Sequence, residues 1–254
     1  MRARRLAAVA TVALGLVALS GCRAEPGVAA YVGGQRITEL QVADVIKDLR
    51  TKNPTPSAEP SASGQPAAPQ PTLPEAADVV RTMVLTKVCE RLSAEKNYQP
   101  RGQATADQAA QQLGLNPETG YAREVAKLLT CMSGLPTEPV EPTAQEMADV
   151  IAAGRASGKI QPQVTDEQAA GQLNGEQLQG ALATKHLLND AAERYDVTVN
   201  PRYRPLEFPL LSFTEDTAAV SIPLGGAGSG TVTDVSTPDA SPSSPNPNAE
   251  GTAS

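Results

Sequence analysis

Apolar residues recur with helical spacing along most of the chain and with strand spacing only near its two ends. Helical segments follow a repeated phrase in which a threonine precedes a glutamine or glutamate by three residues, at Thr38, Thr105, Thr143 and Thr165. In this capping box the threonine hydroxyl accepts from the third helical N–H, and the longer side chain accepts from the threonine N–H. The phrases therefore predict four helix starts. Their irregular spacings of 67, 38 and 22 residues favour shared capping chemistry over an internal duplication.

Three longer patterns predict further helices. Residues 75–97, opened by another capping box at Thr72, are apolar around much of their circumference, so this helix is expected to be central. A second pattern ends near Gly134, and its stripe consists of Tyr121, Val125, Leu128, Leu129 and Met132. The last helix is predicted over about 175–195, and its buried face consists of Leu178, Leu182, Leu188 and Ala192.

Strand patterns appear at the ends of this helical region. Residues 28–32 and 35–37 flank Gly33 and Gly34, a two-residue turn signal typical of a hairpin. Residues 196–200 alternate in polarity, and residues 206–213 are extended with a proline that suits an edge strand. We expect these strands to pair in one small sheet that closes a mostly helical single domain.

Two stretches are too polar and too rich in proline or glycine to bury a core. Residues 53–74 contain seven prolines and one leucine, and residues 225–254 consist mainly of Gly, Ser, Thr, Pro and Asn. Such segments cannot bury enough apolar surface to offset the entropy lost on ordering. We predict that the first is a disordered insertion and the second a disordered tail of a domain spanning residues 28–224.

The N-terminus has the pattern of a bacterial lipoprotein signal. Three arginines within the first five residues precede the apolar run 6–19, which is followed by Leu-Ser-Gly-Cys ending at Cys22. This order predicts a signal peptide over 1–21, a lipid on Cys22, and a tether over 22–27 on the extracytoplasmic face of the cell membrane. The alternative is an ordinary signal peptide followed by a chance cysteine.

Composition limits the partners. The net charge of the full chain is −7, and removing the three arginines of the signal peptide takes it to −10. An acidic chain repels nucleic acid and anionic lipid headgroups, so neither is an expected partner. Aromatic residues are scarce, with five Tyr, two Phe and no Trp, which predicts a thin, alanine-rich helical core.

Both ends of the predicted domain resemble one class of proteins. The opening stretch reads VAAYVGGQRITELQVADVI, and the closing stretch reads LATKHLLNDAAERYDVTVNPRY. Together they are similar to the strands and helices that begin and end the core of the SurA and PrsA class of extracytoplasmic chaperones. Longer members of that class carry a parvulin-type prolyl isomerase domain before the closing helix. Here only residues 134–163 occupy that place, so the resemblance implies a chaperone-like core without isomerase activity.

The residues that carry enzymatic chemistry are few. His186 is the single histidine, and on a helical wheel it lies beside Asp190, which predicts a solvated pair and no catalytic base. With one histidine, no metal cluster of ordinary spacing is expected, and no nucleophile-elbow or phosphate-loop motif occurs. We therefore predict no catalytic residue, no metal and no cofactor.

The remaining two cysteines form an even pair once Cys22 is assigned to the lipid. In an oxidising compartment, Cys89 and Cys131 are candidates for one disulfide between two helices. On a helical wheel each lies at the flank or back of its apolar stripe, a placement that suits a bridge. The alternative is two buried free thiols that act as small hydrophobes.

These observations leave three functional hypotheses, of which the residue inventory disfavours the third. The first is a membrane-anchored chaperone-like protein that binds unfolded or extended polypeptides. The second is a structural lipoprotein that binds one defined envelope partner. A broad apolar groove favours the first hypothesis and a flat, specific patch favours the second. An enzyme is the third and least favoured.

Overall fold

The computed structural model describes residues 26–54, 72–136, 138–214 and 216–225. The predicted signal peptide, Cys22, residues 55–71 of the predicted insertion and residues 226–254 of the predicted tail lie outside the described residues. The strands are β1 (Val28–Val32), β2 (Gln35–Thr38), β3 (Thr198–Val199), β4 (Glu207–Thr214) and β5 (Thr217–Pro223). The helices are α1 (Glu39–Lys52), α2 (Ala76–Lys96), α3 (Ala106–Leu113), α4 (Gly120–Ser133), α5 (Ala144–Ala156), α6 (Asp166–Leu173) and α7 (Glu176–Arg194). The mostly helical fold class is confirmed.

The four capping boxes start α1, α3, α5 and α6 as predicted. The predicted extent of α2 agrees with the structure, but its predicted cap was wrong by three residues. Its N-cap is Glu75 and not Thr72, because Asp78 Oδ2 accepts the Glu75 N–H at 2.8 Å and supplies the reciprocal bond from within the helix. A cap that the sequence pattern did not predict starts α4, where the Thr119 hydroxyl accepts from Ala122 N at 3.2 Å.

The predicted single sheet is two sheets. The first has the order β2-β1-β3, with β3 antiparallel to β1 through the pairs Ala30–Val199 and Tyr31–Thr198, so the chain ends do meet as expected. The second is the separate hairpin β4-β5. Strand β5 was not predicted, and its presence explains the difference, since β4 pairs with this sequence neighbour instead of extending the first sheet.

Helix α2 lies at the centre of the larger core, as its all-round apolar pattern predicts. Val79, Val80, Val84, Leu85 and Val88 are fully buried there, against β1, α1, α4 and α7. The predicted face of α7 is also buried, through Leu178, Leu182, Leu188 and Ala192. A smaller cluster joins α5, α7 and β5 through Val150, Leu178, Leu182 and Val220.

The described ends of the predicted insertion pack against the body. Asn53 caps the end of α1 by donating to Leu49 O at 2.9 Å, and its Oδ1 accepts from Asn116 N at 2.7 Å. Leu73 packs against the larger core. At the other end of the domain Gly225 is buried beside Val199. The predicted disordered ranges 53–74 and 225–254 were therefore too wide at these residues.

The β1–β2 turn supplies a test of stability. Gly33 has φ +59°, and a Cβ there would run into the Arg91 guanidinium, whereas at Gly34 a Cβ would meet nothing within 4 Å. A left-handed conformation costs a non-glycine residue about 1–2 kcal/mol. We expect Gly33→Ala to lower the free energy of unfolding by that amount in urea denaturation. The matched variant Gly34→Ala should lower it by much less, and equal losses would contradict this reading of the turn.

Candidate functional site

An open groove lies between α2, α3, α4 and the loop that joins α2 to α3. Its volume is about 520 Å³, within the range of about 300–1,000 Å³ that is typical of ligand pockets. Small or apolar side chains make most of its surface, namely Pro100, Ala104, Ala106, Ala126 and Cys131. Because these side chains are short, the groove admits another backbone at close range.

The loop wall of the groove is fixed to α4. Thr130 Oγ1 accepts the Ala104 N–H at 2.9 Å, and the Ser133 hydroxyl donates to Gly102 O at 3.1 Å. At Gly134 a Cβ would lie 2.7 Å from Gln99 O, so glycine is required for the close approach of the loop to the end of α4. On the side where no helix borders the groove, its wall is therefore a loop whose backbone is fixed by hydrogen bonds to α4.

Charges of both signs lie at the rim of the groove. Glu90 on α2 stands on one side, with Arg123 and Lys127 of α4 on the other. Arg123 Nη1 donates to Glu118 O at 2.6 Å, and Lys127 Nζ lies 2.8 Å from Glu124 Oε1. The apolar floor of such a groove can contact the side chains of a bound polypeptide. The charged groups at its edges can form hydrogen bonds with the backbone of that polypeptide.

Cys89 of α2 and Cys131 of α4 are joined by a disulfide with a Cα–Cα distance of 6.2 Å. The helical-wheel placement was wrong in one respect. Cys89 is completely buried and Cys131 is 8% exposed, so both lie inside the core and not at its flank. The reason is that α2 is surrounded by neighbours and buries more than one stripe. Cys131 also lines the groove, so the bridge fixes the separation of two of its walls.

His186 is not paired with Asp190, and that prediction was wrong. Its Nε2 lies 2.6 Å from Glu146 Oε1, and Lys185 Nζ lies 3.5 Å from the same oxygen. Thr143 donates its N–H to Glu146 Oε2 at 3.1 Å. Burial opposes ionisation of Glu146, but the hydrogen bonds from His186 and Thr143 outweigh it and hold the pKa of this carboxyl at about 2. The pair fastens the start of α5 to α7 and does not line the groove.

Comparison with protein-family models, with curated proteins and with solved structures finds no match. The resemblance to the SurA and PrsA class therefore stays a prediction based on its residues. Among the described ranges, no helix combines the length and apolar character needed to cross a bilayer. The same residues contain no group of three or more His, Cys, Asp or Glu side chains that could hold a metal ion.

Of the residues that the sequence singled out, only Cys131 lines the groove. The other groove residues are three alanines, a proline, a serine, a threonine and three charged residues of ordinary type, which no motif marks. One signal does point to them. The apolar stripe predicted for α4 omits Ala122 and Ala126, and small residues on a buried helix face allow a neighbouring backbone to approach closely.

Proposed function

We propose that the protein is a membrane-anchored, extracytoplasmic chaperone-like lipoprotein that binds unfolded or extended polypeptides in the groove between α2, α3 and α4. The observation that carries this proposal is the groove itself, which is open, mostly apolar and held in shape by a disulfide and by loop hydrogen bonds.

The groove suits a short extended segment better than a folded domain. A client side chain of moderate size can lie on the alanine floor, where burial of apolar surface contributes about 25 cal/mol per Å². The client backbone can donate to Glu90 and accept from Lys127 at the rim. Such contacts do not depend on a particular client sequence, and the expected affinity is weak. The proposal includes no catalytic step and no prolyl isomerase activity.

The lipid anchor on Cys22 can be tested by phase partitioning. Two or more acyl chains, at about 0.8 kcal/mol per buried methylene, hold a protein on a membrane essentially permanently. We expect the wild-type protein to partition into detergent and Cys22→Ala to partition into the aqueous phase. A Cys22→Ala protein that is cleaved at the same place and still remains in the detergent phase would show that the anchor is elsewhere.

The groove can be tested with a matched pair of alanine substitutions. Ala106 and Ala144 are the first residues of α3 and α5, and each follows a threonine N-cap, but only Ala106 lines the groove. Glutamate is favourable in the first turn of a helix, so neither variant should unfold its helix. We expect Ala106→Glu to weaken binding of a permanently unfolded, fluorescently labelled polypeptide about tenfold, equivalent to about 1.4 kcal/mol.

The control Ala144→Glu should bind the same polypeptide with the affinity of the wild-type protein. Fluorescence anisotropy titrations of the three proteins provide the measurement. Equal affinities for all three would exclude the groove as the binding site, and equal losses in both variants would attribute the effect to added negative charge.

A further inference from the structure

One edge of the domain carries exposed features that the groove does not explain. Leu40, in the first turn of α1, is 70% exposed, whereas Leu113, the other large exposed apolar residue of the described chain, is 38% exposed. A single exposed leucine is ordinary on a protein surface. Leu40, however, lies next to the start of the domain, on the side where the predicted lipid anchor precedes it.

Leu40 lies where the chain enters the domain. The neighbouring Glu39 N–H donates to Gly27 O at 2.9 Å, and β1 starts at the next residue, Val28. Cys22 is five residues before Gly27, and a fully extended chain spans at most about 3.6 Å per residue. A lipid on Cys22 therefore keeps Gly27 within about 18 Å of the headgroups. Leu40 lies close to Gly27, because the adjacent Glu39 is hydrogen-bonded to it.

One basic residue is tied to the first turn of α1 although the chain as a whole is acidic. Arg202 Nη1 lies 2.8 Å from Glu39 Oε1 while its side chain remains 58% exposed. Arg204 is exposed immediately after the turn Pro201–Tyr203, and its Nε donates to Val199 O at 3.1 Å; Arg36 is exposed on β2. Asn200 holds that turn against the start of β1 by donating from Nδ2 to Val28 O at 3.1 Å.

The acidic groups that face this edge are fewer. Glu39 is paired with Arg202, whereas Asp44 is exposed one turn after Leu40 on the same face of α1 and is the acidic group nearest to that leucine. Because charges beyond about 8 Å are largely screened at physiological salt, an anionic surface interacts mainly with the nearest groups and only weakly with the acidic remainder of the body.

We propose that this edge, which comprises Gly27, Leu40, Pro201, Arg202 and Arg204, rests on the anionic headgroups of the bilayer with the Leu40 side chain inserted among them. The inference rests on the proposed lipid anchor, which brings the edge to the surface. It refines the expectation that an acidic body avoids anionic lipid, since the attraction is local to this edge. The edge fixes which side of the domain faces the membrane and which remains open to polypeptides.

Tryptophan fluorescence tests the proposal in the full-length lipidated protein. The chain has no tryptophan, so Leu40→Trp and Leu113→Trp each introduce a single reporter at an exposed apolar position. The proteins are reconstituted in vesicles of phosphatidylglycerol and phosphatidylethanolamine with brominated acyl chains, which quench only groups near the hydrocarbon. We expect at least about twofold quenching of Leu40→Trp, because interfacial residues lie about 5–10 Å deep, and none of Leu113→Trp.

A charge variant and a flotation control distinguish failure of the proposed edge from failure of the lipid anchor. Addition of Arg202→Gln to the Leu40→Trp protein should reduce the quenching in anionic vesicles. In zwitterionic vesicles the same substitution should cause a smaller decrease. Vesicles that carry the protein on flotation but quench neither reporter, or both equally, overturn the proposed edge and leave the anchor intact. Failure of the wild-type protein to float with vesicles overturns the anchor and the edge together.

Discussion

Removal of the Cys89–Cys131 disulfide is expected to lower the free energy of unfolding by about 4 kcal/mol. The two cysteines are 42 residues apart in sequence, and closing a loop of that length restricts the unfolded chain by this amount in the chain-entropy model. For a domain of this size, 1 kcal/mol corresponds to about 2–4 °C in melting temperature, so the expected decrease is roughly 8–16 °C.

Two protein preparations distinguish the stabilisation by the disulfide bond from the packing contribution of the sulfur atoms. The wild-type protein reduced by a thiol retains both buried sulfurs, whereas Cys89→Ala/Cys131→Ala also loses their packing. Both should melt well below the oxidised protein, and the variant should melt slightly below the reduced protein. Cys22 is untouched in both cases. Intact mass should increase by two hydrogens on reduction, and a protein whose mass and melting temperature are unaffected by reduction would contradict the bridge.

The contact between α5 and α7 is expected to depend on pH through Glu146. Its pKa is lowered from the ordinary 4.5 to about 2 in the folded protein. A carboxyl with a depressed folded-state pKa stabilises the fold fully above its unfolded pKa, and the contribution is lost as pH falls through the folded value. The Glu146 contribution should therefore be complete above about pH 5 and decline from pH 4.5 towards pH 2.

Glu146→Gln isolates this contribution. Glutamine occupies the equivalent capping position in α1, α3 and α6, as Gln41, Gln108 and Gln168, so the variant can keep the capping box while losing the charge that faces His186. The lowered pKa corresponds to roughly 3 kcal/mol at 1.36 kcal/mol per pKa unit. Since His186 is 43% exposed and solvent screens the pair, we expect a loss of only about 1 kcal/mol at pH 6.

The difference between wild type and Glu146→Gln should shrink to about half at pH 3 in urea denaturation. The control is Glu167→Gln, in the first turn of α6, where the exposed carboxylate has no ion pair among the described residues. That variant should differ little from wild type at either pH. A Glu146→Gln difference that stays constant between pH 6 and pH 3 would contradict the assigned cause.

The helix starts were predictable because their chemistry is local. A threonine and a glutamine or glutamate three residues apart satisfy each other within one turn, and four of the boxes start helices in the structure. The cap predicted at Thr72 was wrong because Glu75 and Asp78 repeat the same spacing three residues later. Helix α2 was predicted to be central since its apolar residues leave no side for solvent.

Features that depend on distant partners were not accessible from the pattern. His186 has a carboxylate at i+4, yet it bonds Glu146, which is 40 residues away and on another helix. Strand β5 is mostly half-buried, and its partner β4 determines it through the hairpin. The groove was missed for the same reason, since its surface combines residues of two helices, a helix start and a loop that are far apart in sequence, and none of them is unusual by itself.

The most direct test of the central claim compares one polypeptide in its folded and its permanently unfolded form. Full-length wild-type protein is titrated with each form, and binding is measured by fluorescence anisotropy. A groove of about 520 Å³ admits an extended segment but not a folded domain, so the unfolded form should bind and the folded form should not. Equal binding of the two forms, or binding of neither, would contradict the proposed function.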